Sequence, residues 1–473
     1  MSLARVFIAN RGEIAVRIVR ACRALGLECV VGASQVDMDG LAAELADRVV
    51  CIGPAPASES YLRPELVVQA ALGTGCDAIH PGYGFLAENP ALPRLAEENG
   101  VRFVGPPPEA MELAGDKLRA REAAASAGVP VVPGRELSSP ADAEVFAADA
   151  GYPVLLKAAG GGGGRGIKLA HSPEELHSLF GVAVAEAGAA FGDERLYAER
   201  FVADARHVEV QVAADADGAV VHLGERDCSV QRRYQKLIEE APAPFLSTDT
   251  REALTAAGVA FARAIGYRNL GTVEFIVDAA SGEFFFLEMN CRIQVEHPVT
   301  EEVTGRDLVA EQLRIADGQP LSFTQDDVAF DGHALECRLT AEDASRGFAP
   351  CPGRLTRFAV PDDIDGLRVD THCRDGALIP PHYDSLMAKL IGHGRDREEA
   401  IEIVHEALER LEVEGVETNA GLLAAVLDHP DFVHGRMTTR WLEEAEAGRS
   451  PSGYTRLDVE RRHQNAGLDA PRR

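Results

Sequence analysis

The chain has 473 residues, 75 of them acidic and 47 basic, for a formal net charge of −28; that balance excludes the broad basic footprint of a nucleic-acid-binding protein but leaves room for local cationic clusters. Apolar residues make up 46% and charged residues 26%, the proportions of a soluble globular protein with chain enough for about two to four domains. No apolar run reaches the about 18 residues that would span a membrane, and nine cysteines without a CxxC pair read as reduced thiols, so the expected setting is the cytoplasm.

The N-terminus, MSLARVFIANRGE, is a short strand followed by charge rather than a signal peptide. Residues 5–9 predict that strand, Asn10-Arg11-Gly12 a turn, and Ile14, Ile18, Cys22 and Leu25 a helix. With a second strand over Glu28–Gly32 this is a βαβ opening, which implies a parallel sheet. It carries no GxGxxG, so no dinucleotide site is expected. Residues 66–80 predict another helix and strand, ending in the shaped loop HPGYGFLAENP over 80–90. A strand at 101–105 runs into Pro106-Pro107-Pro108, where a domain edge is expected.

A helix with Asp116-Lys117 follows, and VPVVP at 129–133 marks a new start. Residues 153–169 read as a strand, Lys157, five glycines (160–164), Arg165-Gly166 and a second strand. A glycine run between two strands is a flap whose free N–H groups can cradle phosphate oxygens and whose freedom lets it close. A plain linker is the bland alternative, less suited to two apolar strands flanked by Lys157 and Lys168. No GK[ST] opens a helix here, so this is not a P-loop.

Strands are predicted at 195–201, 207–213 and 219–223. Residues 224–244 set Arg226, Arg232, Arg233 and Lys236 among acids and read as a charged loop suited to polyphosphate and a small anion. Residues 271–277 and 283–288 pair as a hairpin around Ala279–Gly282, placing Glu274 and Glu288 on neighbouring strands as a two-carboxylate Mg²⁺ site requires. The stretch EFFFLEMNCRIQVEHPVTEE (283–302) is the densest in chemistry. Read as one extended strand, it puts Glu288, Asn290, Arg292, Gln294 and Glu296 on a single face, closed by Pro298. Glu288 and Asn290 suit a hard cation, Arg292 a planar oxyanion, and Glu296 the role of a base. Cys291 reads as a small packed side chain. From Asp331 to about Leu442 a mixed α+β region is expected, with Arg338 on the strand 333–339, further strands near 355–359 and 366–371, and a helix over 397–412. The tail after about 445 is polar and expected to be disordered.

Six of these stretches, IANRGEIAVRI, HPGYGFLAEN, KAAGGGGGRG, ERDCSVQRR, EMNCRIQVEHPVTE and ECRLTAED, together resemble the biotin carboxylase family of the ATP-grasp superfamily, over roughly residues 3–445. The resemblance implies an α/β and α+β multidomain fold: a Rossmann-like N-terminal domain (1–113), an ATP-grasp core (114–330) with a mobile lid at about 131–202, and a C-terminal mixed α+β domain (331–445), then a tail (446–473). It implies ATP- and bicarbonate-dependent carboxylation of biotin through carboxyphosphate, with Mg²⁺ or Mn²⁺.

Carried over residue by residue, it implies ATP contacts at Lys117, Lys157, Gly163, Gly164, the hinge Glu199, Arg200, Phe201 and Val202, then His207, Gln231, Tyr234, Glu274 and Glu288. It implies metal ligands Glu274, Glu288 and Asn290, and a bicarbonate site of Lys236, Arg292, Gln294 and the Val295 backbone. Glu296 is implied as the catalytic base and Arg338 as the group that holds the biotin enolate, with Arg292 and Lys236 beside them. The chain departs from the pattern at Tyr234, where many members carry His, at Cys291 in place of a common Thr, and over residues 33–40. No AMKM-like lysine motif follows the third region. A separate biotin carboxyl carrier protein, a carboxyltransferase subunit of an acetyl-CoA or propionyl-CoA carboxylase and a homodimer are therefore expected, with no nucleic-acid or membrane partner. Two other readings are a ligase that activates bicarbonate for a urea- or carbamoyl-type acceptor and a catalytically silent regulatory homologue; the first has no need of Arg338, and the second is expected to have lost its metal carboxylates or flap glycines.

Overall fold

The computed structural model describes residues 2–159 and 167–446. Gly163 and Gly164, and the tail from residue 447, lie outside the described residues. Five parallel strands, β1 (Arg5–Ile8), β2 (Glu28–Ser34), β3 (Arg48–Gly53), β4 (Ala78–His80) and β5 (Arg102–Phe103), form the first sheet in the order β3-β2-β1-β4-β5. The expected βαβ opening is present: the helix Gly12–Ala24 buries Ile14, Ile18 and Cys22 against this sheet, and Leu25 caps its end. The three prolines do not simply break the chain. Pro108 takes the first turn of the helix Pro108–Gly115, where its missing N–H costs nothing.

Four antiparallel strands, β6 (Gly134–Leu137), β7 (Val154–Ala158), β8 (Ile167–Ala170) and β9 (Leu196–Arg200), form a small separate sheet, order β6-β9-β7-β8. β7 and β8 pair directly, Lys157 opposite Ile167, so the glycine run joins two hydrogen-bonded strands. Before β6, Val131 bridges to Phe286, and the Phe286 N–H donates to the Pro130 carbonyl at 2.7 Å.

The largest sheet has eight strands. It contains β10 (Ala205–Ala214), β11 (Val220–Arg232), β12 (Gln235–Ala241), β13 (Asn269–Asp278), β14 (Phe284–Asn290) and β15 (His333–Thr340). Short ribbons follow: β16 (Glu342–Asp343) with β17 (Ala349–Pro350), β18 (Gly353–Arg354) with β21 (Leu378–Ile379), and β19 (Arg357–Ala359) with β23 (Glu412–Glu414). β20 (Leu367–Thr371) and β22 (Leu386–Gly394) complete the large sheet, whose order is β14-β13-β10-β11-β12-β15-β22-β20. Phe286 packs on Phe261 of the helix Thr248–Ala264, ring centroids 4.5 Å apart, beneath the carboxylate strands. Burying one such ring contributes about 1.5–3 kcal/mol. Phe284 and Phe285 are only half-buried, so the aromatic run is less enclosed than its composition suggests.

Three expectations are corrected here. Residues 224–244 are not a loop: they are most of β11 and all of β12, joined by a tight turn in which Arg233 and Tyr234 take left-handed φ of 49° and 66°. The 283–302 stretch is not one strand. β14 stops at Asn290, the chain turns through 291–296, and Pro298 opens rather than closes an element, sitting in the first turn of the helix His297–Thr304. The helix predicted over 397–412 ends at Glu409, with β23 beginning at Glu412. Among the described residues no helix is long and apolar enough to cross a membrane.

Candidate active site

The hairpin β13–β14 sets Glu274 directly opposite Glu288, and Thr272 opposite Asn290, with a register shift just beyond Glu274. Asn290 Nδ2 donates to Glu274 Oε1 at 2.9 Å, and Lys117 Nζ lies 3.6 Å from Glu288. Lys117 reaches it because Asp116 caps the helix Lys117–Ser126, accepting from the N–H groups of Leu118 and Arg119. Burial pushes the Glu288 carboxyl above its ordinary range, and Lys117 only partly opposes this. A half-buried carboxylate short of positive charge, facing a second carboxylate and an amide oxygen, fits a hard divalent cation. Glu274, Glu288 and Asn290 are therefore compatible with the ion the sequence implies.

Lys236 is the hub of the site. Its ammonium lies 2.7 Å from Glu209, 3.1 Å from Glu274 and 2.6 Å from Glu296. It sits at the start of β12, just past the Arg233-Tyr234 turn. Glu296 is fully buried, and Arg338 from β15 reaches its other oxygen at 2.9 Å while also pairing with Glu239. Burial alone would raise the Glu296 carboxyl; Lys236, Arg338 and Arg226 more than reverse this and hold it well below the usual range. The same contest, won by Lys236 and His207, holds Glu274 low; His207 Nε2 is 3.1 Å from Glu274.

The four cations of 225–236 separate. Arg226 is fully buried, donating to Glu209 at 2.6 Å, Gln211 at 2.8 Å, Thr300 at 2.9 Å and Thr272 at 3.2 Å. It is enclosed behind the site and has no path to a polyphosphate. Arg232 stacks 4.1 Å over Phe348, and the Arg233 N–H donates to Glu443 at 2.9 Å. Lys236 is the cation that reaches Glu274 and Glu296 directly.

The turn 291–296 still gathers its polar side chains, by folding rather than by strand alternation. Arg292 donates to Asn290 Oδ1 at 2.7 Å and Gln294 Oε1 at 2.9 Å, and pairs with Glu88 at 3.1 Å; Gln294 Nε2 donates to Glu274 at 3.0 Å. Glu88 belongs to the loop 80–90 and also accepts the Cys291 N–H at 3.0 Å, which tethers that loop to the site. Burial pushes the Cys291 and Cys228 thiols well up, so both are inert packing groups at neutral pH.

On the small sheet, Lys157 and Glu199 form a buried ion pair, and Arg121 joins Glu199 at 2.9 Å. Arg200 lies 5.2 Å over Phe285, and Arg440 5.5 Å over Phe201. Gln231 is buried, donating to the Cys228 carbonyl at 3.2 Å, and Tyr234 is 56% exposed at its turn. Glu209, Glu239 and Glu88 were not singled out from sequence. The strict alternation of HVEVQVA carried the signal for Glu209, which shares a face with His207 and Gln211. Among the described residues, His207–Glu209–Glu274 and Glu209–Cys228–Glu296 also bring ligand-type atoms within 4.8 Å, but the Lys236 ammonium already neutralises both groups.

A parallel α/β sheet, a small antiparallel sheet bearing the glycine hairpin, and a long antiparallel sheet presenting facing carboxylates beside clustered cations define an ATP-dependent ligase of the ATP-grasp class. Three family models match in order: the N-terminal domain of biotin carboxylase over residues 2–111, the ATP-binding domain of the carbamoyl-phosphate synthase L chain over 116–324, and the C-terminal domain of biotin carboxylase over 336–444. The chain is 48% identical to biotin carboxylase 1 of Bacillus subtilis over 93% of its own length and 98% of the relative's, and 48% identical to the biotin carboxylase of Pseudomonas aeruginosa over the same shares. It matches the solved biotin carboxylase–β,γ-ATP complex of Campylobacter jejuni with a TM-score of 0.91 at 41% identity, covering 93% and 99% of the two chains. It also matches the biotin carboxylase domain dimer of Hydrogenobacter thermophilus 2-oxoglutarate carboxylase, solved with MgADP, ADP and bicarbonate, with a TM-score of 0.89 at 45% identity, covering 94% and 98%. The chain belongs to the biotin carboxylase family, ATP-dependent carboxylating ligases.

Proposed function

We propose that this enzyme carboxylates biotin borne on a separate carrier protein, as the biotin carboxylase subunit of an acyl-CoA carboxylase, and that its site residues take the roles the sequence suggests. The observation that carries the reading is the convergence of Lys236 and Arg338 on the two oxygens of Glu296. Lys236, Arg292, Gln294 and the Val295 N–H hold bicarbonate. Glu296 takes its proton, a bicarbonate oxygen bonds to the γ-phosphorus, and the bond to the ADP oxygen breaks, giving carboxyphosphate and ADP. Lys117 and Lys157 neutralise phosphoryl oxygens, and Gly163 and Gly164 cover them. Glu274, Glu288 and Asn290 would hold a divalent cation, which would supply further charge neutralisation there. The ureido nitrogen then bonds to the carboxyl carbon as phosphate leaves, the departing phosphate taking the nitrogen's proton; Arg338 holds the negative charge developed on the ureido oxygen.

Glu296 in its resting pairs is ionised but weakly basic. Bicarbonate entering between Lys236 and Arg292 competes for Lys236, which both raises the basicity of Glu296 and stabilises the dianion it creates. The hinge Glu199–Val202, with His207, Gln231 and Tyr234, completes the nucleotide side. The division into units 1–113, 114–330 and 331–445 belongs to the same reading, as do a second copy of the chain, a carboxyltransferase partner and a cytoplasmic setting. The Hydrogenobacter domain dimer supports the second copy.

The test is ADP release with ATP, Mg²⁺ and bicarbonate, with and without free biotin, in the wild type and Arg338→Ala. Biotin acceleration that disappears in the variant supports the reading. Bicarbonate-dependent turnover indifferent to both biotin and a biotinylated carrier would instead support a bicarbonate ligase with another acceptor, the reading favoured only by the carbamoyl-phosphate synthase match of the core.

A further inference from the structure

We infer that His297 is a positioning residue for the reaction: it holds the Gln294 carbonyl so that the Val295 N–H on the same peptide is turned toward the oxyanion pocket. The inference rests on the bicarbonate-site reading above. His297 follows Glu296, is fully buried, and its Nδ1 lies 2.8 Å from the Gln294 oxygen. A carbonyl oxygen only accepts, so Nδ1 carries the hydrogen. Nε2 is then a bare acceptor, and that atom is buried with no hydrogen-bond partner among the described residues. Its nearest carboxylate, Glu301, stands 3.9 Å away and is itself taken by Arg17 and Arg368.

Burial, together with the charges of Lys389, Arg17 and Arg368 around the ring, outweighs Asp370 and the Glu301 carboxylate 3.9 Å away and keeps the imidazole neutral. A neutral ring fixed in one tautomer is a clamp for a carbonyl and does not compete for the anion.

The planar trans peptide links the two ends of the argument. With its C=O directed at His297, the 294–295 peptide must direct the Val295 N–H the opposite way. No acceptor takes that N–H among the described residues. The next peptide is braced from the same side: the fully buried Lys389 ammonium, from β22, donates to the Val295 carbonyl at 2.8 Å. Two successive carbonyls are thus each anchored by a fully buried side chain.

The experiment compares steady-state ADP release by the wild type, His297→Leu, His297→Asn, His297→Gln and Gln294→Ala, varying bicarbonate and ATP separately. His297→Leu is expected to raise KM for bicarbonate about ten-fold, the worth of one hydrogen bond, with KM for ATP unmoved. His297→Asn, whose amide nitrogen overlays Nδ1, is expected to restore it, and His297→Gln, whose nitrogen overlays Nε2, is not. Equal behaviour of the Leu and Asn variants would overturn the inference, as would a normal bicarbonate KM in His297→Leu beside a raised one in Gln294→Ala. A normal KM in Gln294→Ala would overturn the site reading itself. Should the Leu variant not fold, imidazole ¹H–¹⁵N correlations of the wild type decide, with His297 assigned by its loss in the Asn variant. A neutral Nδ1–H ring from about pH 6 to 8 supports the inference; a protonated Nε2 overturns it.

Discussion

The Lys236 ammonium lies 2.6 Å from one carboxylate oxygen of Glu296. With Arg338 on the other oxygen, this carboxyl is held well below its ordinary range, in its ionised form. Glu296→Gln is expected to lower bicarbonate-dependent ADP release by about 10²–10⁴-fold, with nucleotide binding kept. Its folded-state pKa is depressed, so its ionic contribution to stability is present above the unfolded carboxyl range and lost as pH falls through the folded value. The denaturation midpoints of wild type and Glu296→Gln should therefore keep a constant separation above about pH 5 and change it only below about pH 4. A separation that changes through neutrality would contradict the pairing.

Glu239 behaves in the opposite sense. It lies opposite Glu336 in the β12–β15 register, both fully buried, and burial, with Arg338 opposing and Glu296 assisting, pushes its carboxyl up to about 7. The folded protein then binds a proton that the unfolded chain releases. Stability is full below the unfolded pKa and lost as pH rises through about 7. Relative to Glu239→Gln, the wild type should lose up to about 3 kcal/mol between roughly pH 4 and 7, measured by urea denaturation. Parallel pH profiles would show that Glu239 carries no such proton.

Arg226 is a test of the correction made in the large sheet. Arg226→Met removes a fully buried cation and leaves the equally buried Glu209 with Lys236 alone. The expected loss is about 3–5 kcal/mol in denaturant unfolding. A near-normal stability coupled to a large rise in KM for ATP would return Arg226 to the phosphate site.

Glu288→Gln removes the carboxyl that burial leaves short of positive charge. The Mg²⁺ concentration for half-maximal ADP release is expected to rise about ten-fold or more, and calorimetric Mg²⁺ titration of the nucleotide complex should weaken to match. An unchanged metal requirement would remove Glu288 from the ligand set.

Much of this was legible in the sequence. The parallel opening, the glycine hairpin's flanking strands and the Glu274–Glu288 pairing all follow from local periodicity and turn chemistry, which the structure keeps. What could not be read was how charge behaves once strands are neighbours. Residues 224–244 look like a solvated loop because polar residues run almost unbroken over 225–236, yet Arg226 meets Glu209 across β10–β11 and Lys236 meets Glu209 and Glu274 across three strands. Likewise alternation along 288–296 pointed to one face, but the chain bends after Asn290 and the polar groups converge through Arg292–Asn290 and Gln294–Glu274 bonds that no strand period encodes. Lys389, from a distant strand, reaches Val295 only because β22 enters the same sheet.

The eight-stranded sheet runs without a break from Glu288 on β14 and Glu274 on β13, through Lys236 on β12, to Arg338 on β15 and on to β22. β12 hydrogen-bonds directly to β15, across the point near residue 330 where the sequence suggests a boundary. A fragment cut there would strip β12 of its β15 partner and leave a sheet edge open to aggregation. Glu288 on β14 and Arg338 on β15 are thus parts of one continuous sheet, and any engineering by segment exchange has to move that sheet whole.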